Sequence, residues 1–102
     1  MTEVKEVTPI EVEEMLQTNK EDILLVDVRE QEEVDQGIIK EAIHIPLNEI
    51  PEAYINFDQN KHYIMVCRSG QRSHNAAAFL QERGINVSNM VGGMLEWEGD
   101  IK

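Results

Sequence analysis

Apolar residues fall into short runs along the chain, each bounded by charged or turn-forming residues. The densest run, Ile23 to Val28, is broken only by Asp27. It is too short for a helix and rich in branched residues, which predicts a central strand buried on both faces. His62 to Val66 reads as a second strongly apolar strand and Val87 to Val91 as the last one. Ala42 to Ile45 predicts a shorter strand, stopped by Pro46.

Helical spacing fills the gaps between these runs. Thr8-Pro9-Ile10-Glu11 carries a helix start, with Thr8 as N-cap, Pro9 at the first helical position and Glu11 closing a capping box. That helix is expected to run through Leu16 and to pack Val12, Met15 and Leu16. The charged segment Arg29 to Gln36 predicts a short surface helix closed by Gly37. Ser73 to Arg83 predicts a longer one, with Ala76, Ala77, Phe79 and Leu80 on its inner side and Gly84 at its end. Leu47 to Phe57 stays open, since Pro51 interrupts it while Ile50, Tyr54 and Phe57 have the spacing of a short helix. Gly92-Gly93 leads into a closing helical turn containing Leu95 and Trp97.

Strands alternating with helices predict an α/β fold, with a mainly parallel central sheet of about five strands and helices on both faces. A length of 102 residues without a repeat, linker or low-complexity tract predicts a single domain over residues 1–102. No stretch approaches the roughly 20 apolar residues that cross a bilayer. The acidic start MTEVKEVTPIEVEE is unlike a secretory signal, and the expected location is the cytoplasm.

Charge narrows the range of partners. A formal net charge of -11 argues against nucleic acid and anionic membranes, which need a basic surface. None of the 20 acidic residues lies between Gln59 and Gln81, a stretch that holds Lys61, Arg68 and Arg72. The single cysteine, Cys67, lies inside it and excludes an internal disulfide. One Cys and three scattered His lack the close spacing of a metal site, so neither metal nor cofactor is expected.

A strand ending at Val66, followed by a tight loop and a helix opening near Ser73, puts Cys67 at the carboxyl end of a parallel strand, where open α/β sheets bind ligands. The loop Arg68-Ser69-Gly70-Gln71-Arg72 closes by curling its backbone, for which Gly70 supplies the freedom, and its amides then point at sulfur. These donors, the helix start, Arg68 and Arg72 all favour a thiolate. The same ring would hold a persulfide sulfur or an anionic donor such as thiosulfate, serving both halves of a ping-pong cycle. Most lone cysteines are inert small hydrophobes. An inert Cys needs neither flanking arginines nor a glycine turn, and the reactive reading is preferred here.

Leu25-Val26-Asp27-Val28-Arg29-Glu30, Ala42-Ile43-His44-Ile45-Pro46-Leu47, Cys67-Arg68-Ser69-Gly70-Gln71-Arg72-Ser73 and Gly92-Gly93 with Trp97 follow one another along the chain. In this order the sequence resembles the rhodanese-homology domain over nearly its whole length. The resemblance implies a sulfurtransferase of the thiosulfate sulfurtransferase type. Cys67 would attack a small anionic donor, become a persulfide, and pass the outer sulfur to a thiol, cyanide or protein acceptor. Arg68 and Arg72 would bind the donor anion, and the amides of Arg68, Ser69, Gly70, Gln71, Arg72 and Ser73 would form the cradle. Asp27 would sit near the loop in a supporting role, with Arg29 pairing a nearby carboxylate rather than touching substrate. The chain departs from the family's Gly-His-Ile-x-Gly-Ala at Gly37-Ile38-Ile39-Lys40-Glu41-Ala42, which alters a connection and not the cradle. The segment after Trp97 is brief and puts packing beside the rim in question.

Phosphatases and arsenate reductases of related fold also use a cysteine in a curled loop. The phosphatase loop has five residues between Cys and Arg and a His before the Cys; this chain has four residues there and Val66 before Cys67. No general acid for a phosphate leaving group stands in the loop. A non-enzymatic sulfur carrier and an oxidant-sensing thiol remain open alternatives. His74 is read as a solvated first-turn residue with tuning of Cys67 the minor alternative, His44 and His62 as structural, and Trp97 as core.

Overall fold

A computed structural model of the chain describes residues 3–102; Met1 and Thr2, the first residues of the acidic start, lie outside the described residues. The first elements are β1 (Glu6–Val7), α1 (Pro9–Thr18), β2 (Ile23–Asp27), α2 (Gln31–Val34) and β3 (Ile43–His44). They are followed by α3 (Ile50–Ala53), β4 (His62–Val66), α4 (Gln71–Gln81) and β5 (Val87–Met90).

The two most apolar runs pair at the centre of the sheet, β2 beside β4, with Ile23 opposite His62 and Asp27 opposite Val66. All neighbours are parallel and the strand order is β1-β5-β4-β2-β3. Both faces of the central strands are covered, which explains their unbroken apolar sequence. On one face Leu25, Ile64 and Val66 pack with Val12 of α1, Ile39 and Met90. On the other, Val26, Met65 and Val87 pack with Ile50 of α3 and Ala76, Ala77 and Leu80 of α4. Each fully buried Leu, Ile or Met contributes about 1.5–3 kcal/mol of transfer free energy. The predicted α/β fold, with its parallel sheet and helices on both faces, is the observed one.

The start of α1 follows its local code. The Thr8 amide donates to Glu11 Oε1 at 2.8 Å and the Glu11 amide donates to Thr8 Oγ1 at 3.2 Å, closing the capping box ahead of Pro9. Leu47 to Phe57 forms two turns, Leu47–Glu49 and Tyr54–Asn56, around α3. Pro51 lies in the first turn of α3, where a missing amide hydrogen costs nothing.

Several boundaries differ from expectation. The fifth strand, β1, is a two-residue edge, too short to show alternation in sequence. The strand expected over Ala42 to Ile45 narrows to Ile43–His44, because the Ala42 amide turns back to the Ile39 carbonyl at 2.9 Å. Most consequential, α4 opens at Gln71 and not near Ser73. Gly70 is its N-cap, with φ 105°, and its carbonyl accepts the His74 amide at 3.1 Å. Gln71 and Arg72 therefore belong to the first helical turn, and the loop proper is shorter than the sequence suggests. The departing segment after Gly37 buries Ile38 and Ile39 and pairs with the chain's last residues. Ile38 and Lys102 exchange backbone bonds at 3.2 and 2.9 Å.

Candidate active site

Cys67 follows directly on β4, one residue past the pair Asp27–Val66, at the carboxyl end of the sheet's middle strand. It is 1% exposed, yet its sulfur faces hydrogen-bond donors as well as apolar neighbours. The Gly70 amide donates to Sγ at 3.0 Å and the Ser73 hydroxyl lies 3.2 Å from it. Burial pushes the thiol pKa up. Hydrogen bonds from the Ser73 hydroxyl and from the Ser73, Gly70 and Ser69 amides more than offset this, and the pKa lies below the ordinary thiol value. The stabilisation of negative sulfur comes from the loop and first helical turn, a smaller set of donors than the six amides expected.

The loop curls because it is held from behind. The Met94 amide donates to the Cys67 carbonyl at 2.9 Å and the Leu95 amide to the Arg68 carbonyl at 3.0 Å. With these carbonyls tied to the turn Gly93–Glu96, the Gly70 amide is left to face the sulfur. A Cβ on Gly93, which has φ 57°, would collide with the carbonyl oxygens of Cys67 and Arg68. The Gly92-Gly93 motif thus belongs to the site as backing for the loop.

Asn89 of β5 is a residue that the sequence reading missed. It is 2% exposed; its Nδ2 donates to the Gly70 carbonyl at 3.1 Å and its Oδ1 lies 2.5 Å from the Ser73 hydroxyl. The amide side chain thereby fixes the helix N-cap and the hydroxyl that also faces Sγ. Its one sequence signal is an amide inside the last strand, three residues before the glycine pair.

Two arginine–carboxylate pairs lie beside the loop. Asp27 and Arg29 form a buried pair, with Nε at 2.9 and 3.0 Å and Nη2 at 2.8 Å from the carboxylate oxygens. Arg29 Nη2 also donates to the Gly37 carbonyl at 2.7 Å. This pair ties the end of β2 to the connection leaving α2 and does not point at sulfur. Arg72 donates from both terminal nitrogens to Glu33, at 2.7 and 2.8 Å. Glu33 is held at a pKa of about 2, chiefly by that hydrogen bond, against a smaller upward push from burial. Arg72, expected to bind a donor anion, is paired with the Glu33 carboxylate.

Arg68, Ser69 and Gln71 are exposed, and among the described residues no carboxylate pairs with Arg68. Arg68 and Glu33 face a concavity of about 260 Å³, with Met94, Leu95 and Ile101 among its walls. Arg72 and Glu30 face another of about 450 Å³, with Val28, Leu47 and Asn48. A larger groove of about 530 Å³, between the start of α1 and the closing turn, contains none of the loop residues. His44 meets the Arg29 carbonyl at 2.7 Å and His62 meets Ser88 Oγ at 2.8 Å, while His74 stands 4.0 Å from Glu6. Among the described residues, no cluster of His, Cys, Asp and Glu could hold a metal, and no helix is long and apolar enough to cross a membrane.

A parallel α/β sheet that presents a buried, hydrogen-bonded cysteine at the end of a central strand defines a class of cysteine-loop domains. Within that class, the family described as Rhodanese-like domain matches residues 8–100, and the chain belongs to it. The chain is 42% identical over 100 residues to "Putative sulfurtransferase YtwF" of Bacillus subtilis, covering 98% of this chain and 96% of that protein. It is 28% identical over 95 residues to "Thiosulfate sulfurtransferase GlpE" of Coxiella burnetii, covering 92% and 87%. A rhodanese-like domain protein from Staphylococcus aureus superposes with a TM-score of 0.89 at 34% identity, covering 97% of each chain. Membership supports sulfurtransferase activity at the level of the family.

Proposed function

We propose that the protein moves sulfane sulfur from a small anionic donor, thiosulfate or a persulfide, to a thiophilic acceptor through a persulfide on Cys67. The observation that carries this reading is the Gly70 amide donating to Sγ at 3.0 Å, beside a Ser73 hydroxyl 3.2 Å from Sγ whose one proton is shared with Asn89 Oδ1. Donors of this kind favour a nucleophilic thiolate and then hold the charge of the loaded state. Cys67 is the nucleophile, the Ser69, Gly70 and Ser73 amides are the cradle, and Arg68 draws the donor to the rim while Arg72 is held by Glu33. The acceptor is a thiol, cyanide or a protein, and the setting is the cytoplasm, where a lone thiol stays reduced.

Intact-mass measurement after exposure to thiosulfate tests this. The native chain is expected to gain one sulfur atom and to lose it to cyanide, whereas Cys67→Ser gains none while remaining folded. A native chain whose mass does not change under any sulfane donor refutes the reading. A second reading is a carrier that delivers sulfur to one protein. It is consistent with the 36% identity over 80 residues to "Putative sulfur carrier protein YrkF" of Bacillus subtilis, of which the match covers 43%. Fast turnover with cyanide separates an enzyme from a carrier.

A further inference from the structure

We propose that Glu33 sets the donor preference of the site, favouring a persulfide whose charge rides on the transferred sulfur over the doubly charged thiosulfate. The inference rests on the sulfur-transfer reading above and concerns which donor that site selects.

The argument is one of charge at the rim. Arg29 is neutralised by Asp27, and Arg72 by Glu33 through both terminal nitrogens. Among the described residues of the rim this leaves Arg68 as the arginine without a carboxylate partner. Glu30 adds a further carboxylate to the concavity beside Arg72. A dianion arriving here meets no surplus of positive charge. A monoanionic persulfide brings one charge, and that charge moves into the amide cradle with the sulfur.

Glu33 is fixed in this position twice over. Besides binding Arg72, its Oε1 accepts the Glu30 amide at 3.0 Å, closing the capping box of α2 as the third residue of the helix. It therefore cannot turn away to release Arg72 without uncapping the helix. The chemistry is the same for either donor. Sγ attacks the donor's outer sulfur, the donor's sulfur–sulfur bond breaks, and its electron pair leaves on sulfite or on the departing thiolate as the new bond to Sγ forms. Only the charge that must be accommodated on the leaving side differs.

Glu33→Gln removes the charge while keeping the side chain's shape, an acceptor for Arg72 and a residue suited to the capping box. The measurement is single-turnover loading of Cys67, followed by intact mass, with thiosulfate and with the persulfide of 2-mercaptoethanol. We expect loading by thiosulfate to rise about tenfold relative to loading by the persulfide, as one rim charge is uncovered. The gain should shrink at high ionic strength and vanish when Arg72→Ala is also present. A donor ratio that stays constant or falls in Glu33→Gln overturns the inference. If neither donor loads the native chain, it is the sulfur-transfer reading that fails.

Discussion

The two guanidinium–carboxylate pairs beside the loop use the same chemistry in different surroundings. The side chains of Arg29 and Asp27 are 8% and 0% exposed, and those of Arg72 and Glu33 are 34% and 28% exposed. A buried pair must have every lone pair and hydrogen accounted for, because breaking it strands a charge in a poorly polarisable interior. A partly exposed pair contributes less to stability, because solvent screens both charges. The first therefore fastens the end of β2, and the second is free to be shaped by what the site must bind. Burial distinguishes them.

The comparison can be broken from either side. Asp27→Asn should be the most damaging change, costing about 3–5 kcal/mol in urea unfolding, because it leaves the Arg29 charge unanswered. A loss below 1 kcal/mol would remove the distinction. Next in size is Ser73→Ala, which removes the hydroxyl whose one proton is shared between Sγ and Asn89 Oδ1. It should cost about 1–3 kcal/mol and move the pH profile of Cys67 alkylation upward; an unmoved profile would mean the amides alone set the thiol. The smallest stability effect, at most about 1 kcal/mol, is expected for Arg72→Ala, which should instead raise the Michaelis constant for the donor. The Glu33 carboxyl gives an independent check, since its pKa falls from 4.5 to about 2 on folding. Its contribution is present above pH 4.5 and is lost as pH falls from there toward 2, so the stability gap between native protein and Glu33→Gln should close over that interval.

The parts of the molecule that were legible in sequence are those written locally. The capping box at Thr8 and Glu11 needs only four residues, and the apolar runs of β2 and β4 announce burial on both faces. Cys67 stood out because its loop is free of acidic residues and contains a glycine. What escaped depends on contacts far apart along the chain. Glu33 reaches Arg72 across 39 positions, and within Glu30, Glu32, Glu33 and Asp35 nothing local says which carboxylate will do so. Asn89 reads as an ordinary strand residue until β5 is laid against the loop. The opening of α4 comes earlier than the sequence predicts because Gly70, with its left-handed φ, is not only a turn former but also caps the helix that follows.

The strand order carries a last implication. β4 has a hydrogen-bonded neighbour on each side, and the reactive residue leaves it directly. Such a strand does not fray; its amides exchange with solvent when much of the sheet comes apart together. Thermal breathing at the edges, where β1 and β3 are two residues long, consequently does little to uncover the thiol. A reagent must reach the thiol in the folded protein, and the rate at which it does so measures the native state.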